Sequence, residues 1–416
     1  MISSDVAIVG AGPAGSLAAW EIMHKNPDIS VSVFEEHKEI GRPPHCSGLF
    51  SLKGFCNLGL NPQEITRELG YNPIVKAKIV SPNNNTVEIY RGSDSMGVFD
   101  RIAVDRYFAQ RAQSAGCNYF LRHRVQRIKF DGSLWKIGVK TSEGTVTFGS
   151  KILILAEGVR ARLTRSVGLK PPNPRWVFSA VQYEFERVLD LDSDAVELYF
   201  GRAYAPGFFA WLIPIREGEA RLGVATAPWA KGYTRAHMKY FLKKHPSIHP
   251  RLKKGKIKKT YGGMVSATGP IKKTYSSGLM IVGDAAGQVK ATTGGGVNIG
   301  GYSGLLAGLM AKKIVTGEIS LDHGCREYQK RWQAHFEPEL TLMKLLRRTM
   351  TPLSDKSWDQ IIEIAGKTDL ENSLRTTNID LHGGGLLKYA FTPRVLIKGV
   401  DLIPRTVASL LAGLTM

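Results

Sequence analysis

Residues 5–36 read DVAIVGAGPAGSLAAWEIMHKNPDISVSVFEE. The apolar run at residues 6–9 has the length and composition of a strand that is buried on both faces. A glycine-rich loop at residues 10–15 follows, then a helical pattern that ends near Lys25, and then a second apolar strand that ends at Glu35. Strand, glycine loop, helix, strand and acid in this order predict a dinucleotide-binding unit. A glycine-rich turn without a ligand is the less favoured interpretation.

Each residue type in this unit has a predicted role. Gly10 allows the tight turn, Gly12 lets the backbone approach a pyrophosphate, and Gly15 lets the helix pack close against the strand. The free N–H groups and the partial positive charge at the helix N-terminus attract phosphate. Glu35 is placed to accept hydrogen bonds from both ribose hydroxyls of an adenosine.

The composition limits the class of protein. A chain of 416 residues exceeds the usual size of one domain, and its 43% hydrophobic and 22% charged residues are ordinary for a globular protein. Its four cysteines lack metal-ligand spacing and are too few for a disulfide scaffold, which favours a reducing compartment. The buried strand at residue 6 leaves no room for a signal peptide, and no apolar run approaches the ~20 residues that span a bilayer. We therefore expect a cytoplasmic protein, soluble or peripheral on a membrane.

The charge balance predicts an anionic partner. The chain holds 56 Lys and Arg against 36 Asp and Glu, a net charge of +20. Residues 220–283 contain fourteen Lys and Arg and no acid. Lipid headgroups, nucleic acid and a phosphorylated substrate all fit such a cluster, and a solvated face is the common alternative. Because no nucleic-acid-binding motif accompanies the basic residues, we expect an anionic membrane surface and no nucleic acid.

Two more apolar runs resemble the first strand. Residues 152–156 and 278–282 each lead into a glycine loop, so one nucleotide-binding sheet is assembled from distant segments. The predicted fold is α/β with mixed α+β character, a Rossmann-like three-layer domain that receives a β-rich insertion. The predicted domains are a nucleotide-binding domain of residues 1–70, 98–172 and 275–330, a β-sheet substrate domain of residues 71–97 and 173–274, and a helical region of residues 331–416.

The segments between these strands have patterns of their own. Residues 119–148 are expected to form three antiparallel strands, and residues 234–244 a basic helix. A glycine-rich turn at residues 294–296 precedes a long apolar helix that extends to Val315. Apolar stretches within residues 386–414 predict either an interfacial anchor or helices packed on the core. The C-terminal region is expected to be helical with interruptions at Pro338, Pro352, Pro393 and Pro404.

These motifs together resemble the group of FAD-dependent flavoproteins that includes the aromatic hydroxylases. The resemblance rests on the glycine loop with Glu35, on residues 156–158, and on the sequence GDAA at residues 283–286. It implies that FAD is the cofactor and that Asp284 binds its flavin-side ribose or pyrophosphate. Glu157 stands where the group usually has an aspartate.

Within that group the chain is similar to the geranylgeranyl reductase family, particularly the archaeal digeranylgeranylglycerophospholipid reductases. PHCSG at residues 44–48 matches the family's Pro-x-x-Cys segment, and DRIAVD at residues 100–105 matches its Arg-x-x-x-Asp motif. FAWLIP at residues 209–214 resembles Tyr-x-Trp-x-Phe-Pro, with Phe for Tyr and Ile for Phe. KATTGGGV at residues 290–297 resembles a Lys-Pro-Thr-Thr-Gly-Gly-Gly-Ile turn, with Ala291 in place of the proline.

The resemblance implies a set of site residues. The cysteine lies beside the flavin ring and is the catalytic candidate, the arginine contacts the flavin, and the tryptophan motif lines the substrate pocket. No metal is expected. Residues implied in substrate binding are Phe209, Trp211 and Pro214. Residues implied in FAD binding are Gly10, Gly12, Ala14, Gly15, Glu35, Arg42, Cys46, Ser47, Gly48, Arg101, Val125, Gly158, Asp284, Gly295, Gly296 and Val297.

Three of these residues also have ordinary interpretations. Cys46 could be a small apolar loop residue, Trp211 a core residue, and Arg101 a solvated residue at a helix start. A reduced flavin needs positive charge near N1 and C2, which favours a site role for Arg101. The matching motifs favour site roles for Cys46 and Trp211.

The implied function is an FAD-dependent reduction of isolated C=C bonds in geranylgeranyl chains on archaeal-type membrane glycerophospholipids. Hydride transfer from the flavin and protonation would accomplish it, with an unidentified electron donor, at the cytoplasmic face of the membrane. A flavin-dependent monooxygenase acting on an apolar substrate is the main alternative. A flavin-fold binding protein without redox activity is disfavoured by the intact cofactor motifs. An NAD-dependent dehydrogenase would leave Asp284 unexplained.

Overall fold

The computed structural model describes residues 2–24, 28–44, 46–92, 95–368, 370–375 and 377–390. Two large sheets and one small sheet contain the strands, which confirms the predicted α/β fold class. The strands are β1 (Ile2–Val9), β2 (Val31–Phe34), β3 (Leu49–Ser51), β4 (Asn72–Ile74), β5 (Lys76–Val80), β6 (Thr86–Tyr90), β7 (Met96–Val98), β8 (Asn118–Phe120), β9 (Arg124–Phe130), β10 (Trp135–Lys140), β11 (Thr145–Leu155), β12 (Val177–Glu186), β13 (Ala195–Tyr199), β14 (Ala210–Arg216), β15 (Glu219–Thr226), β16 (Lys256–Ser266), β17 (Tyr275–Ser276) and β18 (Leu279–Ile281).

Helices cover the sheets and make up most of the C-terminal part. Two short 3-10 helices, Pro174–Trp176 and Gly283–Ala286, accompany them. The α-helices are α1 (Pro13–Met23), α2 (Leu52–Asn57), α3 (Pro62–Leu69), α4 (Arg101–Ser114), α5 (Arg162–Ser166), α6 (Thr234–Lys244), α7 (His249–Leu252), α8 (Val297–Val315), α9 (Leu321–Met350), α10 (Asp355–Gly366), α11 (Leu370–Arg375) and α12 (Gly383–Ala390).

The first large sheet is parallel at its centre. Its strands run in the order β17-β18-β11-β1-β2-β8, and β10 and β9 join it through antiparallel pairing with β11. Strands β1, β2, β8, β11 and β18 are parallel to one another. Val6, Ala7 and Ile8 in the central β1 are at most 1% exposed. Burial on both faces explains the continuous apolar run in the sequence.

Residues 118–155 differ from the prediction in two ways. Strand β8 pairs parallel with β2, whereas an antiparallel strand was expected there. Strand β11 has eleven residues and contains both the third antiparallel strand and residues 152–155 of the second apolar run. Its first half is partly exposed and its second half is almost wholly buried. The sequence therefore changes from a polar to an apolar pattern within one strand, and this change led to the prediction of two strands.

Helices α1 and α8 pack together along a row of glycines. A Cβ on Gly304 would lie 2.1 Å from the carbonyl oxygen of Ala14, and one on Gly308 would lie 2.5 Å from that of Ala18. The matching order of these contacts means that the two helices run parallel. A Cβ on Gly300, one turn earlier, would lie 3.0 Å from the Cα of Gly283. The N-termini of both helices therefore lie near the same edge of the first sheet.

The second large sheet has the order β16-β12-β15-β14-β13-β5-β6. All of its pairs are antiparallel except that of β13 with β5. Two of its strands come from residues 76–90 and five from residues 177–266. Strand β16 is one edge of this sheet. The domain boundaries given above remain a prediction.

The C-terminal helices pack on both sheets. Helix α9 spans thirty residues and continues through Pro338, so the interruption predicted there is wrong. Tyr328, Trp332, Phe336 and Leu340 recur every four residues on its buried face, and this packing outweighs the hydrogen bond lost at the proline. In the described part of the chain, no helix is both long and apolar enough to cross a membrane. Lys25 and residues 391–416, which include Pro393, Pro404 and most of the predicted anchor, lie outside the described residues.

Candidate active site

Four parallel strands of the first sheet end at one edge. Residues 10, 35, 156 and 282 directly follow β1, β2, β11 and β18. Hydrogen bonds align the ends: the N–H of Gly10 donates to the carbonyl of Phe34 at 2.8 Å, and that of Ala156 donates to the carbonyl of Val9 at 2.8 Å. The carboxyl edge of a parallel sheet is where ligands bind in such folds.

The glycine loop at residues 10–15 divides into glycines that the fold requires and one that faces open space. A Cβ on Gly10 would lie 2.3 Å from the carbonyl oxygen of Ala156, and one on Gly15 would lie 2.0 Å from that of Gly10. A Cβ on Gly12 would meet none of the described atoms within 4 Å. Pro13 starts α1, so the N–H groups of Ala14 and Gly15 have no carbonyl within the helix to bind. Open space beside these groups is the cradle that a pyrophosphate would fill.

Glu35 is held by the backbone at the end of β2. Its Oε2 accepts a hydrogen bond from the N–H of Ala11 at 3.0 Å, inside the glycine loop. Its Oε1 accepts from the backbone N–H of His37 at 2.9 Å and contacts the Nδ1 of the same residue at 2.6 Å. The carboxylate therefore lies beside the glycine loop, where an adenosine ribose would be bound.

A second helix N-terminus faces the same edge. Helix α8 begins at Val297, directly after Gly295 and Gly296. A Cβ on Gly296 would lie 2.9 Å from Oδ1 of Asp284, so the acid and the glycine turn are adjacent. Burial raises the pKa of Asp284, and the positive charge of Arg101 partly offsets this. The structure therefore brings these predicted FAD contacts together on one side of the edge.

Residues near the end of the described chain support this turn. Nζ of Lys290 lies 2.9 Å from Oδ1 of Asp380, and Nδ2 of Asn298 donates to Oδ2 of the same acid at 3.0 Å. Burial acts to raise the pKa of Asp380, but Lys290 and the hydrogen bonds outweigh it, so the pKa is lowered. Oγ1 of Thr292 lies 2.6 Å from Nε2 of His382. Burial lowers the pKa of His382 to about 4.

Arg101 links the predicted catalytic cysteine to the start of α4. Its Nε donates to Oδ1 of Asp105 at 2.7 Å, and it also interacts with the thiol of Cys46. Burial acts to lower the pKa of Arg101, but Asp105 and Cys46 outweigh it and raise the pKa. Arg101 is therefore a fixed positive charge next to the cysteine and close to Asp284.

The loop of residues 46–48 is attached to the second sheet by Arg221. The Nη1 of this arginine donates to the carbonyl of Ser47 at 2.6 Å, and its Nε donates to Oε1 of Glu184 at 3.1 Å. Gly48 has φ +80°, and a Cβ there would lie 2.3 Å from the same Nη1. The loop therefore follows a path that a larger residue at position 48 would prevent.

Trp211 reaches the cysteine loop across three strands. In the sheet register, Trp211 on β14 pairs with Gly223 on β15, which pairs with Gln182 on β12. Because Gly223 has no side chain, the indole lies over it and Nε1 donates to Oε1 of Gln182 at 3.0 Å. Nε2 of Gln182 then donates to the carbonyl of Cys46 at 3.2 Å. These bonds join the predicted substrate wall to the predicted catalytic loop.

The other predicted substrate residues lie close by. The ring of Phe209 is 6.1 Å from that of Trp211, and both are at most 9% exposed. Pro214 is buried on the same strand as Trp211, and its carbonyl accepts from Nδ2 of Asn72 at 3.4 Å. Phe209 therefore belongs to the same aromatic wall, and Pro214 lies further along β14.

Three predicted cofactor contacts make no described contact with the other site residues. Arg42 is 56% exposed and pairs with Glu39, with 2.8 Å between Nε and Oε2. Val125 is buried in the core of the first sheet on β9. Gly158 has φ +71° and open space around it in the described structure.

The carboxylate of Glu157, one residue earlier, accepts from the N–H groups at the start of α5 at 2.8 and 2.9 Å. The unusual glutamate therefore caps a helix.

Sequence reasoning missed several residues that organise this site. Gln182 and Arg221 carry only a weak signal, a polar residue inside a mostly apolar strand. Arg347 on α9 has none, although it is 1% exposed. Its Nε donates to the carbonyl of Ala291 at 3.1 Å, and its guanidinium lies 4.3 Å from the ring centre of Phe208. Burial lowers the pKa of Arg347 to about 9.

Known proteins share this arrangement along most of the chain. The sequence profile of the FAD binding domain family matches residues 3–301. The digeranylgeranylglycerophospholipid reductase of Methanocaldococcus jannaschii is 30% identical over 368 residues, which cover 88% of this chain and 91% of that protein. The chain belongs to this reductase family. Its family membership makes it an FAD-dependent oxidoreductase.

Solved structures agree with this assignment. A geranylgeranyl bacteriochlorophyll reductase-like protein from Thermoplasma acidophilum superposes with a TM-score of 0.82 at 25% identity, over 97% of this chain and all of that one. The p-nitrophenol 4-monooxygenase of Pseudomonas putida superposes with a TM-score of 0.68 at 14% identity, over 94% of this chain and 98% of that one. The second likeness shows the shared fold alone.

The geometry of the strand edge fits FAD. Open space at Gly12 and the N-terminus of α1 suit a pyrophosphate, and Glu35 lies where the adenosine ribose would be. Asp284 and the N-terminus of α8 lie on the other side of the glycine loop from Glu35, close to Ala14. A Cβ on Gly300 would lie 3.0 Å from the Cα of Gly283 and 4.0 Å from the Cβ of Ala14, so the missing side chain lets the two halves approach closely.

Proposed function

We propose that this protein saturates isolated C=C bonds in geranylgeranyl chains of membrane glycerophospholipids. The observation that carries the proposal is the hydrogen-bonded path from Trp211 through Gln182 to the Cys46 loop. It places a wall of apolar rings next to the loop that the family motif assigns to the flavin. An unactivated alkene in a long hydrocarbon chain needs such a wall for its orientation, because it offers no polar group to bind.

FAD, when bound and reduced, supplies the hydride that one alkene carbon accepts. The second alkene carbon takes a proton in the same step, so that no free carbanion forms, and the product has one H₂ more than the substrate. We assign delivery of that proton to the thiol of Cys46, which Arg101 contacts. The guanidinium can stabilise the negative charge that remains on sulfur when the proton leaves. Solvent protons then restore the thiol.

The surrounding residues position the groups and exclude water. Arg221 and Gly48 set the path of the cysteine loop, and Gln182 fixes it against the indole of Trp211. Phe209 and Trp211 are nearly inaccessible to solvent, so a chain bound beside them lies in an apolar environment. Residues 290–296, held by Arg347 and Asp380, would provide a rigid backbone edge for a bound flavin.

The protein would work as a peripheral enzyme at the cytoplasmic face of an anionic membrane and receive electrons from a donor that is still to be identified. The net charge of +20 supports attraction to such a surface. The lipid names of the relatives support a polyprenyl glycerophospholipid as the substrate class.

Anaerobic single turnover tests this function. Purified holoprotein is reduced with dithionite, freed of excess reductant, and mixed with a geranylgeranyl glycerophospholipid in detergent. The expected result is reoxidation of the flavin together with a mass gain of one H₂ per reduced bond. A lipid with fully saturated chains is the matched control and should leave the flavin reduced. A flavin that stays reduced with the lipid and is reoxidised only when oxygen is then admitted, with a hydroxylated product, would establish the monooxygenase alternative.

A further inference from the structure

Two large aromatic side chains are exposed on one short loop between β15 and α6. Trp229 is 54% exposed and Tyr233 is 86% exposed. The ring of Trp229 contacts that of Trp176 at 5.5 Å and that of Phe178 at 5.9 Å. Trp229, Trp176 and Arg175 line a mostly apolar groove of about 320 Å³. We call these three residues and their groove the tryptophan groove.

A continuous series of rings leads from the tryptophan groove to the active site. Phe178 contacts Phe208 at 5.3 Å, and Phe208 stacks on Phe209 at 4.3 Å. Phe209 contacts Trp211 at 6.1 Å, and Trp211 is hydrogen-bonded through Gln182 to the loop that carries the cysteine. A series of apolar rings therefore connects this groove to the proposed reaction centre.

Exposed cations lie at the groove and next to it in the sequence. The guanidinium of Arg348 lies 5.7 Å from the ring centre of Trp176, Arg175 lines the groove, and Lys231 follows Trp229 by two residues. In the described chain these three cations take part in no ion pair, and all three are exposed. Burial lowers the pKa of Lys344, and the neighbouring charges of Arg348 and Lys272 lower it further, against a smaller opposing effect of Glu337. Positive potential is therefore in excess on this side of α9.

The lysines of β16 have a different environment, although they belong to the same acid-free segment of residues 220–283. Lys256 and Lys258 lie 3.7 Å from the carboxylate of Glu186, and Lys259 lies 3.2 Å from that of Glu184. They also lie on an edge strand, where lysines commonly prevent pairing with another chain. The acid-free sequence of this strand is therefore balanced by acids on β12.

We propose that the tryptophan groove docks the protein on a bilayer of anionic phospholipid and is where the polyprenyl chain enters. Tryptophan and tyrosine prefer the level of the headgroups, and each Lys or Arg near an anionic surface strengthens binding about fivefold. The aromatic rings would then offer the polyprenyl chain an apolar surface from the acyl region of the bilayer to the cysteine loop. The second part of this inference rests on the proposed function, whereas docking does not require it.

Vesicle binding tests the location. The test variant is R175E/K231E/R348E, and the control variant K256E/K258E/K259E, whose three lysines all lie on β16, has the same change in net charge. FAD content and Tm of both should match the parent, which checks folding. Binding is measured by cosedimentation with vesicles of equal phosphatidylglycerol and phosphatidylcholine at 0.1 M salt. We expect the test variant to bind roughly a hundredfold more weakly or worse, because three charges are reversed, and the control variant to lose far less.

Two further measurements separate the possible outcomes. Trp229→Ala should weaken vesicle binding severalfold with all charges retained, and 1 M salt should weaken the parent's binding because the Debye length falls to ~3 Å. If the control variant loses as much binding as the test variant, or if neither does, the groove is not the docking surface. If the parent binds vesicles as expected but its reduced flavin is not reoxidised by solubilised geranylgeranyl lipid, docking stands and the proposed function fails.

Discussion

The Nζ atom of Lys290 lies 2.9 Å from Oδ1 of Asp380, although ninety residues of chain separate the two. The pair fastens the segment around Asp380 to the turn that precedes α8. The side chains are 11% and 9% exposed, so neither charge is well hydrated. Each ion therefore depends on the other for its stability.

Replacing Asp380 with Ala should reduce the free energy of unfolding by roughly 3–5 kcal/mol, because the Lys290 ammonium is left buried and unpaired. Urea denaturation of the holoprotein measures this. Glu327→Ala, which breaks an exposed pair with Arg331, is the control and should cost less than about 1 kcal/mol. The double variant Lys290→Met/Asp380→Leu should recover part of the loss. Equal losses of unfolding free energy in Asp380→Ala and Glu327→Ala would contradict the role of the buried pair.

Gly12→Val should abolish FAD retention and leave the fold intact. The new side chain would enter the open space beside the N-terminus of α1, which a pyrophosphate needs, and would meet no described protein atom at its Cβ. Flavin absorbance of the purified variant and the Tm of the apoproteins measure the two effects. Gly15→Ala is the contrasting change, since its Cβ would lie 2.0 Å from the carbonyl oxygen of Gly10 and should destabilise the fold itself. A yellow Gly12→Val protein would contradict this account of the glycine loop.

Gly223→Ala should slow lipid reduction on the order of tenfold to a hundredfold while FAD remains bound. Its Cβ would lie 1.9 Å from the indole of Trp211, so the indole must leave its position over β15. Single-turnover reoxidation by solubilised lipid measures the rate. Gly262→Ala is a matched control in the same sheet, because no described atom lies within 4 Å of its Cβ. Equal rates in both variants would show that the position of Trp211 is unimportant.

Cys46→Ser should retain FAD and lower the rate of alkene reduction by about a hundredfold, the usual scale for loss of a general acid. A hydroxyl is a much weaker acid than a thiol, whereas the hydrogen bond from Gln182 to the backbone carbonyl of residue 46 survives. Flavin content and single-turnover reoxidation are measured in the same sample. Reoxidation at the parent rate would show that Cys46 has no catalytic role and is an ordinary loop residue.

Acidification from about pH 6.5 to about pH 4 should lower the stability of the protein, in part through His245. Burial lowers the pKa of this histidine to about 4, whereas an unfolded histidine has a pKa of about 6.5. The unfolded chain therefore binds more protons than the folded one within this window, and stability falls as pH falls. Tm measured across the window should depend less on pH in His245→Gln. His323→Gln, at an exposed position, should leave that dependence unchanged.

The sequence predicted those parts of the molecule that depend on local pattern. The glycine loop, the ends of the central strands and the helix at residues 234–244 follow from periodicity and turn chemistry, and the structure confirms them. The relation of Trp211 to Gln182 could not be predicted, because it depends on the register of three strands. Arg347 and Asp380 were missed for a similar reason: each reaches the flavin turn from a distant helix or loop that no local signal connects to it.

Strand β1 has both of its neighbours in the first sheet supplied by later parts of the chain, and β11 in turn needs β18 near residue 280. A ribosome that adds about 5–20 residues per second therefore takes on the order of tens of seconds between the emergence of the first strand and that of the last one it requires. For much of this interval the apolar run at residues 6–9 has β2 available as a neighbour but lacks β11 on its other side. Synthesis of this protein should therefore place more demand on chaperones than its final stability would suggest.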